Sequence, residues 1–472
     1  MNDIVFGTDG FRGLIGEKFN FENVRRIAQG LADYIAYKSM KGEDKKVVIG
    51  YDRRFLSEEF AKQFAMVLEK SEIKCHLSLT PIPTPCVSML TDKEYILGVV
   101  ITASHNPYLY NGVKIKYQAR SIPPLMSAEI ENRIPKNSVS VQGNINIETK
   151  DFRNNYIKYL TSKYNISRIL SSIKGKIVID FMNGASAELY QDLFSKHKNI
   201  ICLHTLRDPL FSEVGSPEPV EKHLSSLIKT VKDNKALMGI AIDGDGDRFA
   251  LIDNNGQYLS PCQIAPILLD YLINDKKLSG KIVQAVSMGY ITKRIAKEKN
   301  FLFEEVPVGF KYIAEKMISE DVLFGVEESG GYTWKGNIPE RDGLVTAFAF
   351  MEIIARRKKN ISEILSQLEK RYGKSYFIRK DYPINKAVTN KHSFAVKIKK
   401  KLPKLILNQK VKEISTLDGL KVILENDWWF LVRPSGTEPL LRIYGETESK
   451  NNTEKILDLA YKLSNEENKE AK

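Results

Sequence analysis

The chain of 472 residues is poor in cysteine. Its four cysteines, Cys75, Cys86, Cys202 and Cys262, are scattered, with no Cys-x-x-Cys pair and no histidine at metal-ligand spacing. That excludes a disulfide framework and a zinc site. Long apolar runs are also missing: the stretch 344–355 is broken by Glu352, and nothing approaches the ~18 residues a membrane-spanning helix needs. Residues 1–12 carry Asp3 and Asp9 and have neither the basic start nor the apolar core of a signal peptide. The expectation is a soluble, cytoplasmic protein with no membrane partner. Lysine and arginine (71) outnumber aspartate and glutamate (58), for a net charge of +13. The excess is dispersed, however, and the densest runs, 356–359 and 397–401, lack a stacking-aromatic pattern, which argues against nucleic acid. A basic protein that handles small phosphorylated substrates fits the same charge.

What is present is a repeat. With 43% hydrophobic residues the chain can build real cores, and its length suggests about three domains, within a range of two to four. Three apolar runs begin alike: Lys46-Val-Val-Ile-Gly-Tyr-Asp52, Lys176-Ile-Val-Ile-Asp-Phe-Met182 and Lys281-Ile-Val-Gln-Ala-Val-Ser287. Each reads as a strand leading into a helix, and each is followed by a second strand candidate, at 96–102, 237–242 and 322–326, that ends in a polar loop. Strands alternating with helices predict mostly parallel sheets, which place ligands beyond the carboxyl ends of their strands. The boundaries fall near 150, 254 and 372. Residues 1–150, 151–254 and 255–372 are then three similar α/β/α domains. Residues 373–472, with strand candidates at 419–423, 428–432 and 440–444 and a helix at 453–463, form a smaller α+β domain.

The three polar loops carry the chemistry. Thr102-Ala-Ser-His-Asn-Pro107 puts a serine hydroxyl at a strand end, where turn N–H groups can face it, with Lys114 nearby to neutralise charge or move a proton. Ser, Asn and Pro also suit an ordinary turn, so this loop alone leaves both readings open. Asp243-Gly-Asp-Gly-Asp-Arg248 sets three carboxylates at alternate positions with glycines between, a pattern suited to one hard cation. An EF-hand is excluded, because Arg248 and Asn254 stand where its glycine and final glutamate belong. Three protein carboxylates leave coordination positions for water or phosphate, as Mg²⁺ requires in phosphoryl transfer. Gly325-Val-Glu-Glu-Ser-Gly-Gly331 offers carboxylates and a hydroxyl to vicinal sugar hydroxyls, or is an acidic turn. In the last domain, Arg433-Pro-Ser-Gly-Thr-Glu-Pro439 has the makings of a phosphate cradle. Gly7-Thr-Asp-Gly-Phe-Arg-Gly13 presents Arg12 between glycines, as a phosphate contact or an N-terminal turn.

Taken together and in this order, the five motifs resemble those of the α-D-phosphohexomutases, the phosphoglucomutase and phosphomannomutase family, over nearly the whole chain. The resemblance implies four domains around a central cleft. It implies Ser104 as the phosphoserine, and Asp243, Asp245 and Asp247 together with Ser104 as the Mg²⁺ ligands. Glu327 and Ser329 become sugar contacts, and Arg433, Ser435, Gly436 and Thr437 the phosphate site. Lys114 matches a lysine of proton transfer, while Arg12, Arg248 and Lys311 match supporting positions. His105 is the one histidine inside a motif.

The implied cycle begins when phospho-Ser104 donates to the free hydroxyl of a hexose monophosphate. The resulting hexose 1,6-bisphosphate turns around and returns its other phosphate to the serine. Some relatives place a histidine where this chain has Gly331, and the phosphoglucosamine branch would carry Glu-Gln-Ser-Gly-His there. The 7–13 segment, conversely, resembles that branch. Glucose or mannose phosphate is the first expectation and glucosamine phosphate the second, in a monomer or homodimer. Two other classes stand beside it: a haloacid-dehalogenase-like phosphatase with Asp243 as nucleophile, and a non-catalytic sugar-phosphate sensor.

Overall fold

The computed structural model describes residues 4–7, 9–40, 46–143, 145–385, 388, 390–435 and 439–469. The chain divides into two compact units, one of residues 1–258 and 330–361, the other of residues 259–329 and 362–472.

The first unit holds two mixed sheets. In one, the strand order is Phe11–Leu14, Tyr110–Tyr117, Leu97–Ile101, Val47–Tyr51, Cys75–Ser78, Glu148–Lys150. Val47–Tyr51 pairs in parallel with both Leu97–Ile101 and Cys75–Ser78, while Tyr110–Tyr117 returns antiparallel to Leu97–Ile101. In the other, Met238–Ile242 lies between antiparallel Phe249–Asp253 and parallel Ile177–Asp180. Val47–Tyr51, Leu97–Ile101 and Met238–Ile242 are buried at every position, as continuous apolar runs must be when helices cover both faces of a sheet. One covering helix is Phe21–Tyr37, whose N-terminus is capped by Asn20 accepting the Asn23 N–H at 2.9 Å. Its inward face packs Val24, Ile27, Leu31 and Ile35 into the core with Phe60 and Phe64 of helix Ser57–Lys70.

The second unit contains three parallel strands, Phe303–Val306, Lys281–Ala285 and Val322–Glu327. It also holds an antiparallel sheet ordered Tyr376–Pro383, Leu440–Thr447, Trp429–Pro434, Leu420–Leu424, Gln409–Ser415, Leu405–Ile406. Helix Lys450–Lys469 covers that sheet through Ile456, Leu457 and Ala460. The strand Tyr376–Pro383 is absent from the sequence expectation, because its alternating exposed and half-buried residues give no apolar run.

The architecture agrees with the expected α/β layers and terminal α+β domain. The repeat also has a topological meaning. Each lysine-led strand pairs in parallel with the strand preceding a polar loop: Val47–Tyr51 with Leu97–Ile101, Ile177–Asp180 with Met238–Ile242, and Lys281–Ala285 with Val322–Glu327. All three loops therefore leave the carboxyl end of a strand equivalent in its own sheet.

Candidate active site

Ser104 is fixed by its own loop. Where strand Leu97–Ile101 ends, the Thr102 hydroxyl accepts the Ser104 N–H at 2.8 Å and donates to Asp52 at 2.6 Å. Arg54, fully buried, donates to the carbonyls of Ser104 and Asn106 at 2.6 Å each, of Pro107 at 2.9 Å and of Tyr110 at 3.1 Å, and pairs with Asp52 at 3.1 Å. These contacts hold Ser104 at φ 54°, in the left-handed region that a serine adopts only when its surroundings impose it. The hydroxyl then faces Asp243, donating to its Oδ2 at 3.0 Å, with His105 Nδ1 at 3.3 Å. Arg12 donates to the Asn106 side chain at 2.9 Å.

The aspartate loop follows strand Met238–Ile242 and turns back at Gly246, φ 80°. Asp243, Asp245 and Asp247 are all buried, and one ligand oxygen from each lies within 4.8 Å of the others. Asp243 is held through both oxygens, Asp245 and Asp247 each through one. Asp243 Oδ1 accepts the Arg248 N–H at 3.0 Å. Asp245 Oδ2 accepts from the Thr84 hydroxyl at 2.5 Å and from Lys114 Nζ at 2.7 Å. Asp247 Oδ2 accepts from Lys114 at 2.9 Å and from Arg341 Nη2 at 2.6 Å. Asp245 Oδ1 and Asp247 Oδ1 are buried with no hydrogen-bond partner among the described residues. A hard, all-oxygen donor set with two buried carboxylate oxygens unsatisfied fits a divalent cation of the Mg²⁺ kind.

The charges shift one another. Burial, then Asp245 and Asp247, push the Asp243 carboxyl well above its usual range. For Asp245 burial acts in the same direction and is the largest influence, but Lys114 together with hydrogen bonds from Thr84 and Asp243 outweighs it, and the carboxyl lies below its usual range. Burial disfavours the Lys114 ammonium, yet Asp245, Asp247 and Asp9 together raise it above an ordinary lysine. His105 is pushed well below 6.5 by burial and then by Arg248, Arg12, Lys114 and Arg54, which keeps its ring neutral.

The first unit thus brings together Ser104, His105, Arg12, Lys114, Arg248 and the three aspartates. The remaining sequence-predicted residues belong to the second unit. Glu327 ends strand Val322–Glu327 and accepts from the Ser329 hydroxyl at 2.6 Å. Lys311 lies in the first turn of helix Phe310–Ser319. Arg433 is buried and donates to Asp418 at 2.7 Å, and Ser435 is buried with its N–H on the Leu440 carbonyl at 2.8 Å. Gly436 and Thr437 lie outside the described residues. Sequence reasoning missed Arg54, Thr84, Asp9 and Arg341. The charged run Asp52-Arg53-Arg54 at a strand end was a usable signal for Arg54. Thr84, 161 residues from Asp245, gave none.

Comparison with known proteins identifies this arrangement. Residues 3–140, 154–256 and 260–372 match α/β/α domains I, II and III of phosphoglucomutase/phosphomannomutase, and residues 384–462 match the C-terminal domain of the same proteins. The chain belongs to the phosphoglucomutase/phosphomannomutase family. It is a mutase, an enzyme of the isomerase class, and the family match over four domains displaces the phosphatase reading of Asp243. A protein of Methanosphaera stadtmanae named "probable phosphoglucosamine mutase" is 31% identical, covering 98% of this chain and 97% of its own. A phosphoglucosamine mutase of a Thermotoga species is 28% identical, covering 96% and 97%. Among solved structures, one from Thermus thermophilus, provisionally named a phosphomannomutase, superposes with a TM-score of 0.85 at 29% identity over 98% of both chains. No helix among the described residues is long and apolar enough to cross a membrane.

Proposed function

We propose that this phosphohexomutase interconverts glucosamine 1-phosphate and glucosamine 6-phosphate, with phospho-Ser104 as the donor and a 1,6-bisphosphate as the intermediate. The carrying observation is the Ser104 hydroxyl 3.0 Å from Asp243 Oδ2, inside a group of three buried aspartates. The sequence alone put glucose or mannose first; the names of the relatives move glucosamine ahead of them. Glucose or mannose phosphate is the second reading, supported by the Thermus structure's name.

In the forward half-reaction the sugar hydroxyl oxygen attacks phosphorus and the bond to Ser104 Oγ breaks. The proton lost by the sugar hydroxyl is the one Ser104 gains. His105, neutral and 3.3 Å from Oγ, is placed to carry it. Lys114, held protonated among carboxylates, serves as fixed positive charge near the transferring group. Asp243, Asp245, Asp247 and a phosphoserine oxygen would hold Mg²⁺, which supplies charge neutralisation as the phosphoryl group moves. Arg12 and Arg248 serve the transferring phosphoryl group in the first unit. In the second unit Glu327 and Ser329 bind sugar hydroxyls, and Lys311, Arg433, Ser435, Gly436 and Thr437 take the phosphate that is not reacting. The four domains are assigned to 1–150, 151–254, 255–372 and 373–472.

The test is a coupled mutase assay with glucosamine, glucose and mannose 1-phosphates, each with Mg²⁺ and a trace of its 1,6-bisphosphate. Turnover of glucosamine 1-phosphate well above the others supports the reading. Preference for glucose or mannose transfers it to the second, and isomerisation of none of the three overturns both.

A further inference from the structure

We propose that Asp9 and Arg341 are positioning residues for the cation site, acting as one chain of contacts that aims Asp247 and gives Lys114 a carboxylate partner outside the aspartate loop. The inference rests on the metal reading of Asp243, Asp245 and Asp247 given above, and concerns two residues to which that reading assigns no role.

The geometry is continuous. Ser121 Oγ donates to Asp9 Oδ1 at 2.7 Å, and Asp9 Oδ2 lies 2.9 Å from Lys114 Nζ and 3.0 Å from Arg341 Nη2. The same Arg341 nitrogen reaches Asp247 Oδ2 at 2.6 Å. Arg341 is buried, and its backbone precedes helix Gly343–Arg357, whose first N–H is bonded to the Gly246 carbonyl of the aspartate loop at 2.9 Å. The guanidinium is thus anchored to the loop it grips. Its grip takes one oxygen of Asp247 and leaves the other, Oδ1, buried and without a hydrogen bond, with Arg248 Nε 4.0 Å away. Thr84 does the same for Asp245, taking Oδ2 and leaving Oδ1. Groups that hold the far side of a ligand in this way fix its rotation and are worth about a factor of ten to a hundred in metal affinity.

Asp9 has a second effect. Lys114 is shared among three carboxylates at 2.7–2.9 Å, of which only Asp9 lies outside the aspartate loop. When a cation draws on Asp245 and Asp247, Asp9 is the partner that remains to Lys114. Without it the ammonium must stay on the aspartates and compete with the incoming charge.

The probe is Mn²⁺ bound to the full-length protein, read by the loss of the free-ion electron paramagnetic resonance signal, alongside thermal melting. Arg341→Met and Asp9→Asn should each weaken Mn²⁺ binding about ten- to a hundred-fold. The double variant should lose less than the product of the two, because they act through one chain. Arg341→Lys, which keeps a donor for Asp247, should recover part of the loss. Asp9 is the more exposed partner, with its side chain 18% accessible, so Asp9→Asn decides the matter if Arg341→Met does not fold. Folded variants that bind Mn²⁺ within twofold of wild type overturn the inference. Tighter binding also overturns it, since it would mean that Arg341 acts only as a repelling charge. Wild-type protein that binds no Mn²⁺ overturns the metal reading itself, and the inference with it.

Discussion

Gly244→Ala tests whether the spacing between the serine and aspartate loops matters to catalysis. A Cβ on Gly244 would lie 2.7 Å from the Ser104 carbonyl oxygen and 3.0 Å from Pro217 Cγ. Opening the first contact to the 3.4 Å at which ordinary packing begins requires about 0.7 Å of movement. Neither side yields easily. Gly244 is bonded through its N–H to the Pro217 carbonyl at 3.2 Å and through its own carbonyl to the Ala185 N–H at 2.9 Å. The Ser104 carbonyl is held by Arg54. The two loops must therefore separate, lengthening the 3.0 Å contact between Ser104 Oγ and Asp243. Misplacement by 1 Å costs on the order of a hundredfold in rate, so 0.7 Å predicts a fall in kcat of roughly 10- to 50-fold. Overpacking of this kind costs about 1–3 kcal/mol of stability, small enough for the protein to remain folded at assay temperature. The coupled assay measures kcat, and a urea melt measures stability. A folded Gly244→Ala enzyme with kcat within twofold of wild type would refute the reasoning.

Arg433→Ala should raise KM far more than it lowers kcat, by about 1.5–3 kcal/mol in binding if its phosphate contact is charge-assisted; an unchanged KM in the same assay would remove Arg433 from the phosphate site. Asp342 caps helix Gly343–Arg357, accepting the Val345 N–H at 2.9 Å and the Tyr156 hydroxyl at 2.7 Å, and burial raises its carboxyl from 3.8 to about 7. The folded state keeps this proton up to about pH 7 while the unfolded chain releases it near pH 4, so its contribution to stability falls as pH rises through that window. Asp342→Asn should therefore gain on wild type between pH 4 and 7, by up to about 4 kcal/mol; urea midpoints of the two proteins that run parallel with pH would contradict this. Glu446, fully buried, accepts from the Trp429 indole at 2.7 Å and the Tyr290 N–H at 2.9 Å, and from the Ser375 hydroxyl. Glu446→Ala strands these donors and should cost about 2–5 kcal/mol, seen as a lower urea midpoint for the second unit; an unchanged midpoint would show that water replaces the carboxylate.

The parts of the molecule written in local sequence were legible without the fold. A run such as Val-Val-Ile-Gly-Tyr, buried on both faces, announces itself by composition, and its lysine-led repeats located three equivalent strand pairs. The residues proposed to carry chemistry sit in loops dense with Gly, Asp and Ser, where alternation of Asp243, Asp245 and Asp247 is itself the signal. The supporting residues carry no such signal. Arg341 and Asp9 are 332 residues apart and Thr84 and Asp245 are 161 apart, so their partnership exists only once the sheets have formed. The role of Lys114 also changes once the fold is known. Sequence alone allows it either to neutralise charge or to move a proton. With three carboxylates around it, charge neutralisation is the role its surroundings favour. Strand Tyr376–Pro383 was missed for a different reason: an edge strand paired on one side, rich in Arg, Lys and Asp, has no apolar periodicity to read.

The central claim is that Ser104 carries the phosphoryl group to the sugar. Protein labelled with radioactive phosphate from a 1,6-bisphosphate, freed of ligand and then mixed in a rapid-quench device with glucosamine 1-phosphate, measures this directly. The account predicts label on Ser104, absent in Ser104→Ala, moving to sugar bisphosphate at least as fast as kcat. Label that stays on the protein, or a Ser104→Ala enzyme that still isomerises its substrate, would contradict it.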